Sequence, residues 1–181
     1  MQAFHSENPK ALTKRSELEL FTALRAADVP FEYQYYLPFA GCELDSETKC
    51  CYIDFVLHMP WGVVFLENDE HQHDHQSPSC DVRRDFDAVA SVALGSTQKV
   101  VFLHFNPDTF KVGGTTLCTT RKERYSKLLD TLRAWMVEDP CPGKPFARFF
   151  MFYDRDSPDA VLPCVAEAWD PVARLVSKML G

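Results

Sequence analysis

Strand-type and helix-type periodicity follow one another along this chain in an order that few folds accommodate. Three strand-type segments come in succession: "VPFEYQYYLPF" (29–39), aromatic and alternating after a proline; "CCYIDFVL" (50–57); and "GVVFLEND" (62–69), with the turn-like "HMPW" between the last two. A helical stretch precedes them, in which Leu20, Phe21, Leu24 and Ala27 keep one face and Ser16 with Glu19 fits a capping box. After them, "CDVRRDFDAVASVALG" (80–95) carries a helical stripe of Phe86, Val89, Val92 and Ala93 that stops at Gly95. "KVVFLHFN" (99–106) reads as a strand buried on both faces. "TTRKERYSKLLDTLRAWMVED" (119–139) reads as a helix with Tyr125, Leu128, Leu129, Leu132 and Trp135 in register, and "ARFFMFYD" (147–154) as a further strand. The segment "AVLPCVAEAWDPVARLVSKML" suggests one or two short helices broken at Pro171.

The order is α-β-β-β-α-β-α-β with a helical tail. It predicts one α/β domain over 1–181, a mixed central sheet flanked by helices, with its core at about 11–154 and a C-terminal helical extension at 155–181. A chain of 181 residues can bury a core of that kind. No apolar run approaches the roughly 20 residues that span a bilayer. "MQAFHSENPKALTKR" lacks the apolar region of a secretory signal. Both observations predict an intracellular protein, cytosolic or nuclear, with no membrane partner. Seven cysteines, an odd number with no C-x-x-C pair, fit free thiols. A net charge of −7 counts against a protein that coats nucleic acid by bulk electrostatics, and leaves open a local basic face or a site where bound cations supply the positive charge.

Chemistry concentrates in "VVFLENDEHQH" (63–73), where an apolar strand empties into carboxylates and imidazoles. If the hairpin turns symmetrically about Pro60 and Trp61, facing residues sum to 121 and Asp54 stands opposite Glu67, with Phe65, Glu67 and Asp69 on one face. A bulge at Gly62 would change the sum to 122 and turn Glu67 away. Two carboxylates inside apolar strands need a cation. A divalent ion with hard-oxygen preference meets that need, and so does an arginine such as Arg83 or Arg84. His71, His73 and His75 alternate in "HQHDH" and could hold a transition metal if extended; Cys42, Cys50 and Cys51 give a second structural-zinc alternative. Walker, G-x-S-x-G and G-x-G-x-x-G motifs do not occur.

"YIDFVL", "VVFLENDEHQH", "CDVRRDF" and "VVFLHFNPDTF" together resemble the PD-(D/E)XK nuclease-like superfamily, and within it the branch of very-short-patch repair endonucleases and related domains of large DNA viruses. The resemblance covers roughly residues 16–110. It implies a restriction-endonuclease-like αβββαβ core and a metal-dependent endonuclease that hydrolyses DNA with Mg²⁺ or Mn²⁺. Asp54, Glu67 and Asp69 match metal-binding acids, and His73 matches a histidine that handles a proton, with Gln72 beside it. Arg84 matches the arginine of the following helix, where Arg83 or Arg84 would steady a phosphate or neutralise the acids; Glu17 and His71 are possible accessories. Two departures stand out. Asp69 occupies the position of the superfamily's lysine, and His104 stands where an arginine is common. Loss of that lysine is also how such a fold becomes a non-catalytic binding module, which is the second expectation. A structural-zinc protein is the third. "TTRKERYSK" with Lys99 and Lys111 offers a candidate basic face for DNA.

Overall fold

The computed structural model describes residues 15–39, 50–73, 78–95, 97–154 and 164–168. Their order is α1 (Arg15–Ala26), β1 (Glu32–Pro38), β2 (Cys50–Met59), β3 (Gly62–Asn68), α2 (Pro78–Gly95), β4 (Lys99–Phe105), β5 (Lys111–Val112), β6 (Thr115–Thr116), α3 (Arg121–Val137), β7 (Phe146–Met151) and β8 (Cys164–Ala168). A short 3₁₀ turn, Glu70–His73, follows β3. The chain is therefore α/β with a mixed sheet flanked by helices. No helix among the described residues is long and apolar enough to cross a membrane.

Six strands form the main sheet in the order β1-β2-β3-β4-β7-β8. β1, β2 and β3 are antiparallel neighbours, β3, β4 and β7 run parallel, and β8 returns antiparallel on β7. The β2–β3 hairpin takes the register that sums to 121, from Met59↔Gly62 to Phe55↔Leu66. Gly62 is needed there, because a Cβ at this position would lie 2.5 Å from the Lys99 carbonyl oxygen of β4. The last strand corrects an expectation: Cys164–Ala168 is a strand, not part of a helical extension. The rest of 155–181 lies outside the described residues.

Two apolar layers clamp the sheet. On one face Leu20 and Leu24 of α1 and Leu128, Leu132 and Trp135 of α3 pack on Phe55, Leu57, Val64, Leu66 and Leu103. On the other, Ala88 and Val89 of α2 pack on Ile53, Val56, Val63, Phe65 and Phe102. The stripes read from spacing on α1 and α3 face the core, while on α2 only Val89 of the expected four is buried, Ala88 joins it, and Ala93 is exposed. α3 starts at a reciprocal capping box, with the Thr120 hydroxyl accepting from the Glu123 N–H and the Glu123 carboxylate accepting from the Thr120 N–H. The box expected at Ser16 and Glu19 does not form. Ser16 lies within α1, and its hydroxyl serves Asn68 and Glu70 instead.

One irregularity positions everything that follows. A regular β2 would put Ile53, Phe55 and Leu57 on one face, yet Ile53 joins the α2-side core and Phe55 and Leu57 the α1-side core. The alternation slips at Asp54. Its neighbour β1 slips in step: Tyr33 packs toward α1 and Leu37 toward α2, and Gln34 between them has φ 50°. A left-handed non-glycine residue inside a strand is uncommon.

Candidate functional site

The polar residues gather at the carboxyl ends of β3 and β4, where open α/β sheets commonly bind ligands. On the α2 face the side chains grade from apolar to charged along the strands. Phe65, Phe102 and Arg148 stand level across β3, β4 and β7, and one step on come Glu67, His104 and Phe150. α2 lays Arg84 and Asp85 over them. Arg84 Nη2 lies 2.7 Å from Glu67 Oε1, a close ionic contact whose angle is not that of a hydrogen bond. His104 places Nδ1 2.7 Å from Asp69 and Nε2 2.9 Å from Asp85, and Arg148 Nε donates to the same Asp85 oxygen at 2.8 Å. Tyr153 donates to Asp69. The His104 ring is stacked between Phe102 and Phe150, with centroids 5.7 and 4.9 Å away.

On the α1 face a second group forms around the slipped residues. Gln34 Nε2 donates to Glu17 of α1 and, at 3.2 Å, to Asp54 of β2. The Asn68 N–H donates to the other Asp54 oxygen at 2.9 Å. The Asn68 side-chain amide donates to the Ser16 hydroxyl at 2.8 Å, and that hydroxyl in turn donates to Glu70. Glu17, Asp54, Glu67 and Asp69 are each at most 8 % exposed.

The electrostatics follow from that burial. Glu67 is held well above the usual carboxyl range, first by desolvation, with Arg84 opposing and Asp54 and Asp69 adding to the rise. Burial alone would lower His104, but the carboxylates of Asp85 and Asp69 win and push it up to about 10, so it is an imidazolium donating from both nitrogens. The Tyr33 phenol rises through burial and through Glu17 beside it. Cys51 is pushed up to about 12 by burial, which makes it an inert thiol.

Measured against the sequence, Asp54, Glu67 and Asp69 do lie together at the strand ends, but their partners point three ways. Asp54 is tied to Gln34 and the Asn68 backbone, Glu67 to Arg84, and Asp69 to His104 and Tyr153. Arg84 reaches the acids. Arg83 is exposed and stands 3.9 Å from Asp87 of its own helix. Glu17 joins Asp54 through Gln34. His71 faces solvent beside Asp108, and Gln72 exchanges hydrogen bonds with Asp154 beyond β7. Both have left-handed φ, 55° and 57°. The side chain of His73, all of His75 and Cys42 lie outside the described residues, and Cys50 and Cys51 are free thiols. Of the candidate basic face, Lys99 is spent on Asp139 and the Cys141 carbonyl, and Arg124 on backbone carbonyls.

Gln34, Arg148 and Tyr153 had no motif to announce them, and Asn68 and Asp85 lie inside the quoted stretches without a role assigned there. The available signal was a polar residue inside an apolar strand, as in "VVFLHF" and "FARFF". A divalent ion fits the chemistry of the donors. Glu17, Asp54 and Glu67 are hard oxygen ligands, and buried Glu67 Oε1 accepts no hydrogen bond. Among the described residues, however, no three or more His, Cys, Asp or Glu side chains form a group that could hold a metal ion. Compared with family models, characterised proteins and solved structures, the chain finds no match.

Proposed function

We propose that the protein is a metal-dependent endonuclease of the restriction-endonuclease-like kind, hydrolysing phosphodiester bonds in DNA at a centre built from Glu17, Asp54 and Glu67. The observation that carries this reading is the slip at Gln34 and Asp54. It joins the acids of α1 and β2 through one amide, with Asp54 near enough to Glu67 of β3 for their charges to interact, at the open end of a sheet whose first elements run α-β-β-β-α-β. Such buried acids cost stability and are kept where chemistry needs them.

Asp54, Glu67 and Glu17 would hold Mg²⁺ or Mn²⁺, which when bound supplies Lewis-acid polarisation of a phosphoryl oxygen and an acidified water. The chain's own residues do the rest. Gln34 and the Asn68 N–H fix the orientation of Asp54. Asp69, clasped by His104 and Tyr153, anchors the end of β3 in place of the missing lysine. Arg84, next to Glu67 and partly exposed, is placed to meet a phosphate. His73, at the end of the turn that leaves β3, keeps the proton-handling role that its motif gives it.

A second reading, a non-catalytic binding module, is favoured by the Arg84–Glu67 contact, which neutralises the motif acid with a side chain instead of an ion. Cleavage of supercoiled plasmid and of oligonucleotides with Mg²⁺ or Mn²⁺ separates the two. Cutting by wild type and not by folded Asp54→Asn or Glu67→Gln supports the enzyme. Absence of cutting by all three proteins across duplex, nicked and single-stranded substrates sinks it in favour of the module.

A further inference from the structure

Arg124, buried, and Arg84, half-buried, are treated very differently in this fold. Arg124 of α3 spends Nε, Nη1 and Nη2 on the carbonyls of Pro107 and Thr119, the pattern of a guanidinium that is part of the scaffold. Among the described residues Arg84 makes one close ionic contact, to Glu67, and its buried Nε has no hydrogen-bond partner. Its side chain is 30 % exposed while that of Glu67 is 3 % exposed. Solvent therefore meets the arginine first, with the carboxylate underneath.

Building on the nuclease reading above, we propose that Arg84 is a latch: in the free protein it covers Glu67, and a phosphate of bound nucleic acid draws it off so that a divalent cation can take its place on the carboxylate. Three features of the site support the exchange. A guanidinium with unused donors gains more from a phosphate, which offers bidentate acceptors, than from one poorly aligned carboxylate oxygen. Glu67 has Asp54 and Asp69 as negative neighbours, so it favours replacement of one positive charge by two. Arg84 also sits in the first turns of α2, which puts its exposed side at the same strand ends as the acids. The consequence is thermodynamic. Nucleic acid and cation raise each other's affinity, because each is bound better once Arg84 has moved.

The test is Mn²⁺ binding, followed by the electron paramagnetic resonance of the free ion, with and without a short phosphorothioate duplex. Wild type, Arg84→Gln, Arg84→Lys and Arg83→Gln are compared after each is shown to unfold cooperatively. Free Arg84→Gln is expected to bind Mn²⁺ about 5–150-fold more tightly than free wild type, the range of ordinary coupling between sites. The gain that the duplex gives should shrink accordingly. Arg84→Lys, which keeps the charge, should stay closer to wild type. Arg83→Gln removes the same charge from the exposed side of the helix and should change affinity less than about 2-fold, as a screened surface charge does. Equal Mn²⁺ affinity in wild type and Arg84→Gln, or an equal gain in Arg83→Gln, overturns the latch. If Mn²⁺ binding is then still lost in Glu67→Gln and Asp54→Asn, the nuclease centre survives without it. Binding that ignores Glu67 and Asp54 altogether overturns both. Should Arg84→Gln not fold, the wild-type protein still decides: a duplex that leaves its Mn²⁺ affinity unchanged excludes the exchange, and a rise that Arg84→Lys reproduces supports it.

Discussion

Replacing His104 by Leu should unfold the protein far more readily than its position away from solvent-exposed chemistry suggests. The ring is 3 % exposed, bonded at both nitrogens to buried carboxylates and stacked between two phenyl rings. Leucine fills similar space and leaves Asp69 and Asp85 buried without that cation. Breaking a buried ion pair from one side costs about 3–5 kcal/mol. The rise of the imidazole from 6.5 to about 10, at about 1.4 kcal/mol per tenfold, gives roughly 5 kcal/mol, the same size. For a domain of this length that lowers Tm by about 6–20 °C. The pH dependence gives a sharper check. The folded-state pKa lies above the unfolded one, so the stabilisation is complete below about pH 6.5 and disappears as pH rises through about 10. Urea denaturation of wild type and His104→Leu at several pH values should therefore show a gap that is widest near pH 6 and narrows steadily toward pH 10. A loss under about 1 kcal/mol at pH 6, or a gap that stays flat across that window, would falsify the assignment of His104 as the cation of this cluster.

Two further outcomes rest on single contacts. Glu67→Gln keeps the shape of a buried carboxyl that desolvation holds well above its usual range, so in urea titrations the variant should gain an advantage relative to wild type as pH rises above the ordinary carboxyl range. Because the wild-type carboxyl is protonated in acid, this advantage should close as pH falls through the ordinary carboxyl range, and an advantage independent of pH would contradict the cause given. Gly62→Ala should lose about 1–3 kcal/mol in denaturant titration, since its Cβ would meet the Lys99 carbonyl oxygen at 2.5 Å with backbone on both sides; an unchanged midpoint would show that β3 and β4 can separate locally.

How legible this site was in the sequence depended on the range of the interactions involved. The hairpin register was legible to within one residue: the short turn at Pro60 and Trp61 allowed a sum of 121 or, with a bulge at Gly62, of 122, and the strands pair at 121. The assignment of side chains to faces was not, since the alternation slips at Asp54 and at Gln34, and neither position carries the glycine that usually signals such a break. Ser16 and Glu19 fit a capping box, but Asn68 and Glu70, more than fifty residues away, hold the hydroxyl instead. "CVAEA" is too short for its period to separate helix from strand, and the free edge of β7 decides the matter by pairing. His104 looked like a departure from a motif. Its meaning lies in Asp69 and Asp85, which local pattern cannot connect to it.

The charge arrangement joins the two readings of function into one question. On the α2 side three carboxylates, Glu67, Asp69 and Asp85, meet three cations, Arg84, His104 and Arg148, so this half of the site is balanced as it stands. On the α1 side the neutral amide of Gln34 bridges the carboxylates of Glu17 and Asp54. A divalent cation added between Asp54 and Glu67 relieves the second group and over-neutralises the first unless one of its cations leaves. His104 and Arg148 are buried and held by aromatic rings as well as by carboxylates, which makes their departure expensive. Arg84 is the one of the three with an exposed side. A binding module would keep it on Glu67, and a latch would yield it to a phosphate. Whether that one guanidinium moves therefore decides the latch, while cleavage that depends on Asp54 and Glu67 decides the enzyme.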